Sequence, residues 1–292
     1  MTAASPPAEV TLTVEELVSL DLQEDRARRM RVQARVDGKG PFPFLVDTGA
    51  DHSVLSVELA RALKLPSAGV ARVNGIAGST IAPRAAVGRL EVGGRRLDRL
   101  AAPLLPREYL GALGLIGLDI LSGQQVDIDF PRRRMDVRRA RGFGSTPGEV
   151  VVRGKSRFGK LILVDSTVKR EPIFVVLDTG AQDSIGNGAL RGLLDRRRRA
   201  AIAKPVELRS VTGQTLEGEL DQLAELTLGG VLLRGIAVVF AELHTFRIYA
   251  LDKEPALMLG MNTLRSFNNV RVDFARREVG FQLPELLAPG FG

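Results

Sequence analysis

Residues 41–54 read PFPFLVDTGADHSV, and residues 172–185 read PIFVVLDTGAQDSI. At this offset Asp178 follows Asp47 by 131 residues, Pro41 meets Pro172, and one apolar run meets another. Asp-Thr-Gly-Ala meets Asp-Thr-Gly-Ala, and Ser53 meets Ser184. One Asp-Thr-Gly says little, because Asp and Gly are ordinary turn residues after a strand. Two copies, each behind a buried-strand pattern, demand a duplicated chain in which each half ends the same kind of strand in the same turn.

The rest of the chain repeats around that pair. Met30, Val32, Ala34 and Val36 take every second position, the pattern of a half-buried strand. Asp37–Gly40 supplies a turn into a second strand over Phe42–Val46, which ends at Asp47. Ser56 can cap a short helix over Val57–Lys64, stopped by Pro66. Residues 73–81, VNGIAGSTI, suit a hairpin tip, and Gly93-Gly94 after Leu90-Glu91-Val92 signals a tight hairpin. Leu113–Leu121 reads as an apolar strand entering a short helix, and Val126–Phe130 with Arg134–Arg138 as a hairpin around Pro131. The second half follows the plan: Val211–Gln214 for the hairpin tip, Leu226–Gly230 for the Gly-Gly hairpin, Leu257–Leu264 for the strand and helix, and Val270–Phe274 with Val279–Gln282 for the closing hairpin. A long repeat of short strands predicts an all-β, bilobal fold of two homologous β-barrel lobes with short helices and a site between them.

The expected organisation is an N-terminal extension over 1–29, lobe 1 over 30–138, a linker over 139–159 and lobe 2 over 160–292. Within the extension, residues 1–9 read as a disordered lead-in and Thr11–Val14 as an edge strand, and the whole could serve as a pro-segment. Asp195–Arg199 reads as part of an exposed helix.

A buried strand ending in Asp projects a carboxylate from a rigid support, Thr offers a hydroxyl to lock the turn, and Gly lets two such turns approach closely. Two lobes meeting about a pseudo-twofold axis would bring Asp47 and Asp178 together. At close range both carboxylates cannot comfortably ionise, so they share one proton and titrate as a unit. Such a pair holds a water: the ionised carboxylate takes its proton as it attacks an amide carbonyl, and the protonated one stabilises the developing oxyanion. Two other readings stay open, a pair of merely structural turns in a duplicated β protein and a peptide-binding module on the same fold.

Composition narrows the rest. There is no Cys, which excludes disulfides and thiol chemistry, and two His, His52 and His244, leave little room for a zinc site or a His-based triad. His52 is expected to flank the cleft and His244 to sit in a loop. Neither a cofactor nor a metal is expected. The charge of +7 lies mostly in Arg runs such as Arg132–Arg134 and Arg196–Arg199. These read as solvated surface and not as a nucleic-acid site, since two Tyr and no Trp offer few stacking platforms. No apolar stretch has the length of a membrane span. MTAASPPAEV lacks the charged start and apolar core of a secretory signal. It fits a cytoplasmic chain, or a periplasmic or secreted one whose signal has been removed.

With these residues in view the chain resembles the aspartic proteases, specifically the retropepsin-like branch, in which Asp-Thr-Gly-Ala is the usual form. Leu115-Ile116-Gly117-Leu118-Asp119 and Leu259-Gly260-Met261-Asn262 resemble that family's second signature. The likeness covers roughly residues 30–138 and 160–283, and a chain with both half-sites is similar to the tandem single-chain proteins of bacteria, for which a monomer suffices. The resemblance implies a peptide or protein substrate, Asp47 and Asp178 as catalytic acids, and Thr48, Gly49, Ala50, Thr179, Gly180 and Ala181 as their supports. Asp51 and Gln182 would bind substrate backbone. Gly75, Ile76, Ala77 and Gly78 would form one flap tip, and Val211, Thr212, Gly213 and Gln214 the other. Neither flap carries the Tyr of pepsins, and Asp119 stands where lobe 2 has Asn262.

Overall fold

A computed structural model describes residues 31–142, 148–157, 160–163, 166–194 and 204–284. The expectations for the lead-in, the Thr11–Val14 strand, the pro-segment and the 195–199 helix lie outside the described residues.

Lobe 1 holds strands β1 (Arg31–Val36), β2 (Lys39–Val46), β3 (Val54–Ser56), β4 (Ser67–Gly75), β5 (Gly78–Val92), β6 (Arg95–Leu105) and β7 (Gly114–Ile116). β1 shows the expected alternation, with Val32, Ala34 and Val36 buried between exposed Gln33 and Arg35. The order β1-β2-β7-β3-β6-β5, with β5 pairing back to β1, closes a six-stranded barrel, and β4 hangs on β5 as the flap strand. Closure leaves those six strands no free edge. Helix α1 (Val57–Ala62) is capped as expected, with Ser56 Oγ accepting from Leu59 N–H at 3.0 Å. Helices α2 (Arg107–Leu110) and α3 (Leu118–Leu121) flank β7.

β8 (Gln124–Asp129) and β9 (Arg134–Arg139) leave the barrel. β10 (Glu149–Arg157) falls inside the stretch expected as linker, yet it is a nine-residue strand paired with the last strand among the described residues. Val150 and Val152 alternate there, a strand signal masked by the neighbouring Gly and Arg.

Lobe 2 contains β11 (Lys160–Leu163), β12 (Ser166–Val168), β13 (Glu171–Pro172), β14 (Phe174–Leu177), β15 (Ser184–Gly186), β16 (Lys204–Arg209), β17 (Thr215–Leu228), β18 (Val231–Phe240), β19 (Ala256–Leu259), β20 (Asn269–Asp273) and β21 (Glu278–Gln282). β11 pairs with β14 and β12 with β17, so two short strands share the part that β1 plays in lobe 1. The helices are α4 (Gly188–Gly192), α5 (His244–Ile248) and α6 (Met261–Leu264). His244, expected in a loop, opens α5, because Phe246 and Tyr249 one turn apart give that segment a buried face.

The lobes share a five-stranded sheet, β9-β8-β20-β21-β10. Its centre is the antiparallel pair β8–β20, in which Asp127 faces Arg271. Val126, Ile128, Val270 and Val272 point to one side of it, all 0 % exposed, and join both lobes into one core. Among the described residues no helix is long and apolar enough to cross a membrane. Truncating Ile128 to Ala in this shared layer should cost about 2–5 kcal/mol, read by denaturant unfolding.

Candidate active site

Each Asp-Thr-Gly turn is held by a weave of three strands. In lobe 1, β7 runs parallel to β2 and antiparallel to β3, lying between the strands that the turn connects. Asp47 N–H donates to Ile116 O at 2.9 Å, and Leu118 N–H to Ala50 O at 3.0 Å. In lobe 2, β19 does the same between β14 and β15, with Asp178 N–H donating to Leu259 O at 3.1 Å and Met261 N–H to Ala181 O at 3.0 Å. The second signature is thus the clamp on the first. Ser53 N–H and Oγ donate to the Asp119 carboxylate at 2.9 and 2.7 Å, and Ser184 N–H and Oγ to Asn262 Oδ1 at the same distances. Asp119 and Asn262 therefore do one job, since only an acceptor oxygen is needed. Asn262 uses its amide to donate to Ala237 O as well.

The two turns cross. Thr48 N–H donates to Thr179 Oγ1 at 3.2 Å and Thr179 N–H to Thr48 Oγ1 at 3.1 Å. The hydroxyls pass their own protons on, Thr48 Oγ1 to Leu177 O at 2.8 Å and Thr179 Oγ1 to Val46 O at 2.7 Å. Each threonine thereby grips the strand that carries the other lobe's aspartate. The glycines make the approach possible: a Cβ on Gly49 would sit 2.7 Å from Asp178 Oδ2, and one on Gly180 2.4 Å from Asp47 Cγ.

Asp47 Oδ1 accepts from Gly49 and Ala50 N–H at 2.8 and 3.0 Å, and Asp178 Oδ1 from Gly180 and Ala181 N–H at 2.9 and 3.2 Å. Burial pushes the Asp47 carboxyl up to about 7, the Asp178 charge adds to this, and the Lys160 ammonium opposes it. Burial raises Asp178 too, while the Gly180 and Ala181 N–H groups, the hydrogen bond with Asp47 and Lys160 pull it back. Burial thus favours one shared proton on the pair, which titrates as a unit.

The carboxyls face a cleft of about 520 Å³ with walls from both lobes and both flaps. Asp51, Gln182, Gly75, Ile76 and Val211 line it, and so does His52. Ala77, Gly78, Thr212, Gly213 and Gln214 do not, because the flap tips close on each other and on the opposite lobe. A Cβ on Gly75 would strike Ser210 Oγ, one on Gly78 would lie 2.9 Å from Gln214 Oε1, and one on Gly213 would lie 2.7 Å from the Tyr109 ring. Ile76 O accepts from His244 N–H at 2.7 Å, which docks the first flap on lobe 2. Ile76 packs on the lobe 2 cluster around Ile185 and Met258, and Val211 on the lobe 1 cluster around Leu105 and Leu115.

Three residues escaped the sequence reading. The chain's two tyrosines, Tyr109 and Tyr249, both line the cleft, one from each lobe. Lys160, 1 % exposed, donates to Gly49 O at 2.7 Å and pairs with Asp51 at 2.6 Å. Its one sequence signal is a lysine heading the apolar run LILV. A second hollow of about 650 Å³ on lobe 2, with Glu207, Glu217, Glu219 and Glu242 in its wall, holds neither aspartate. Among the described residues no cluster of three or more His, Cys, Asp or Glu could hold a metal ion.

Residues 32–120, which include the first Asp-Thr-Gly-Ala turn and its clamp, match the family model described as aspartyl protease. That stretch of the chain is similar to the aspartyl proteases. Among solved structures, a retropepsin-like aspartic protease from Rickettsia conorii is 19 % identical, with 47 % of this chain and 91 % of that one covered and a TM-score of 0.34. Conglutin gamma, a basic 7S globulin from lupine seeds, is 11 % identical over 88 % of this chain and 91 % of its own, with a TM-score of 0.45. Basic 7S globulin from soybean is 12 % identical over 89 % and 97 %, with a TM-score of 0.39. No curated protein matches the chain by sequence. The match spans most of the first lobe, and the internal repeat carries the same plan into the second.

Two outcomes test this site. Thr48→Val leaves the Thr179 N–H and the Leu177 carbonyl without their buried partner, and should cost about 1–3 kcal/mol in thermal or denaturant unfolding. Asp47, raised from 3.8 to about 7, contributes stability in full below pH 3.8 and loses it as pH rises through about 7. Asp47→Asn should therefore raise the melting temperature at pH 8 by at least ~2 °C and leave it nearly unchanged at pH 3.5.

Proposed function

We propose that the protein is an aspartic endopeptidase that hydrolyses peptide bonds with a water activated between Asp47 and Asp178. The observation that carries this reading is the reciprocal close approach of the two turns, each glycine lying against the other lobe's carboxyl. A general base must be ionised while its partner keeps a proton, and the raised, coupled carboxyls supply that state near neutral pH without a metal. In the reaction the ionised member takes a proton from water as the oxygen attacks the amide carbon. The protonated member donates a hydrogen bond to the carbonyl oxygen as it gains charge. The proton then passes to the leaving amine and the pair returns to one proton.

The cleft supports a peptide or protein substrate. Gly75 and Val211 present flap backbone to an extended chain, Asp51 and Gln182 stand at corresponding places on the two loops, and apolar walls from each lobe suit aliphatic or aromatic side chains on either side of the cut bond. One chain supplies both halves of the site, so a monomer is sufficient.

Digestion of a peptide library from about pH 4 to 7 tests the reading. The wild-type protein should cut, and Asp47→Asn and Asp178→Asn should each lower cleavage by at least ~10³-fold with the fold intact by circular dichroism. Full activity in either variant would remove the shared-proton mechanism. Binding of peptides without any cut that depends on the two aspartates would leave a peptide-binding module.

A further inference from the structure

We infer that Lys160 is a positioning residue of the aspartate pair: it reaches from lobe 2 into the catalytic loop of lobe 1, pins the Gly49 carbonyl and the Asp51 carboxylate, and holds a fixed positive charge beside the two carboxyls. The inference rests on the proteolytic reading above for its catalytic consequence, though not for its geometry.

A lysine is almost never fully buried unless its charge is answered. Here the side chain is 1 % exposed, and its ammonium donates to Gly49 O at 2.7 Å and to Asp51 Oδ1 at 2.6 Å. The Tyr249 ring centroid lies 5.7 Å away, and the Tyr249 hydroxyl comes within 3.5 Å of the same Gly49 oxygen. The support is rigid, since Lys160 heads β11, which pairs with β14 at Ile162–Val176, and β14 runs straight into Asp178. The lysine thus ties the strand behind one aspartate to the loop that holds the other.

Its field does not cancel. The Asp51 side chain is 62 % exposed, so solvent screens its charge, whereas the ammonium is shielded from water. The titratable groups that face the ammonium are Asp47, Asp178 and Asp51 on the two loops and Tyr249 at the end of α5. Lys160 pulls both Asp47 and Asp178 down against burial. Burial and the same three carboxylates push the Tyr249 hydroxyl up, so it stays protonated. The other loop offers no matching carboxylate, since Gln182 stands where Asp51 stands. Among the described residues the buried ammonium stands on one side of a nearly twofold site, and its charge extends the singly ionised pair toward lower pH.

Replacing the cation with a neutral chain must raise the pH at which both carboxyls ionise. In Lys160→Met the acid limb of the kcat/KM profile for peptide cleavage should move up by on the order of one pH unit. Lys160→Arg should move it by less than half as much. The same upward shift should appear in the carboxyl titration of protein carrying 13C-labelled aspartate, with Asp47→Asn and Asp178→Asn to assign the signals. Asp51→Asn, which keeps the cation and removes its screened partner, should move the titration downward. An unmoved titration in a folded Lys160→Met protein overturns the inference, and so does a Lys160→Arg shift as large as that of Lys160→Met. If Lys160→Met does not fold, an unmoved or upward titration in Asp51→Asn overturns it. A wild-type protein that cuts no peptide removes the proteolytic reading, and the carboxyl titration then still decides for or against Lys160.

Discussion

Four hydrogen bonds between two threonines and two strand ends hold the centre of this molecule. Thr48 and Thr179 each accept the other's N–H and donate to the carbonyl that precedes the other's aspartate. Because all four are buried and cross between lobes, neither turn can relax without stranding polar groups of its partner. The pairing of Asp47 with Asp178 depends on that constraint. Two carboxyls held together away from water ionise together only at a cost in stability, so the energy that drives them toward a shared proton is stored in the fold and not in either residue. The three-strand weave, the Ser53–Asp119 and Ser184–Asn262 clamps and the close-packed glycines all keep those turns from moving apart.

The twofold plan is strict at the crossed turns and lapses around them. The threonines, glycines and clamp serines match in both lobes. Asp51 and Gln182 do not, and the buried Lys160 stands on one side. The flaps differ too, since the first is docked by a backbone hydrogen bond to α5 and the second rests its Gly213 on Tyr109. Each flap leans on the opposite lobe, so closing one braces the other. Duplication thus produces a nearly symmetric cradle, and differences such as Asp51 against Gln182 break its symmetry.

What could be read from residue order was whatever local physics writes there. Alternation in Val32, Ala34 and Val36, a capping serine at Ser56, paired glycines at Gly93-Gly94 and Gly229-Gly230 and the repeated turn each act within a few residues, and each appears in the fold. The β10 strand was hidden because Gly154, Lys155 and Arg153 look like a linker, while its stability comes from β21 more than a hundred residues away. His244 was hidden because the value of its backbone N–H lies in meeting Ile76, on the other lobe. Ala77, Gly78, Thr212, Gly213 and Gln214 sit at flap tips as expected, yet the tips fold onto one another and leave the cleft walls to Gly75, Ile76 and Val211.

The sequence by itself determined that there are two equivalent half-sites, that each hangs on a buried strand, and that Asp47 and Asp178 are the groups they present. Repetition is a property of order, so it survives without coordinates. Only the tertiary structure decided what surrounds the pair. Tyr109, Tyr249 and Lys160 carry no motif, and their roles come from being carried across the gap between lobes into a space where water no longer screens charge. Proximity across that gap, which no local pattern encodes, brings a common lysine into the loop that holds Asp47.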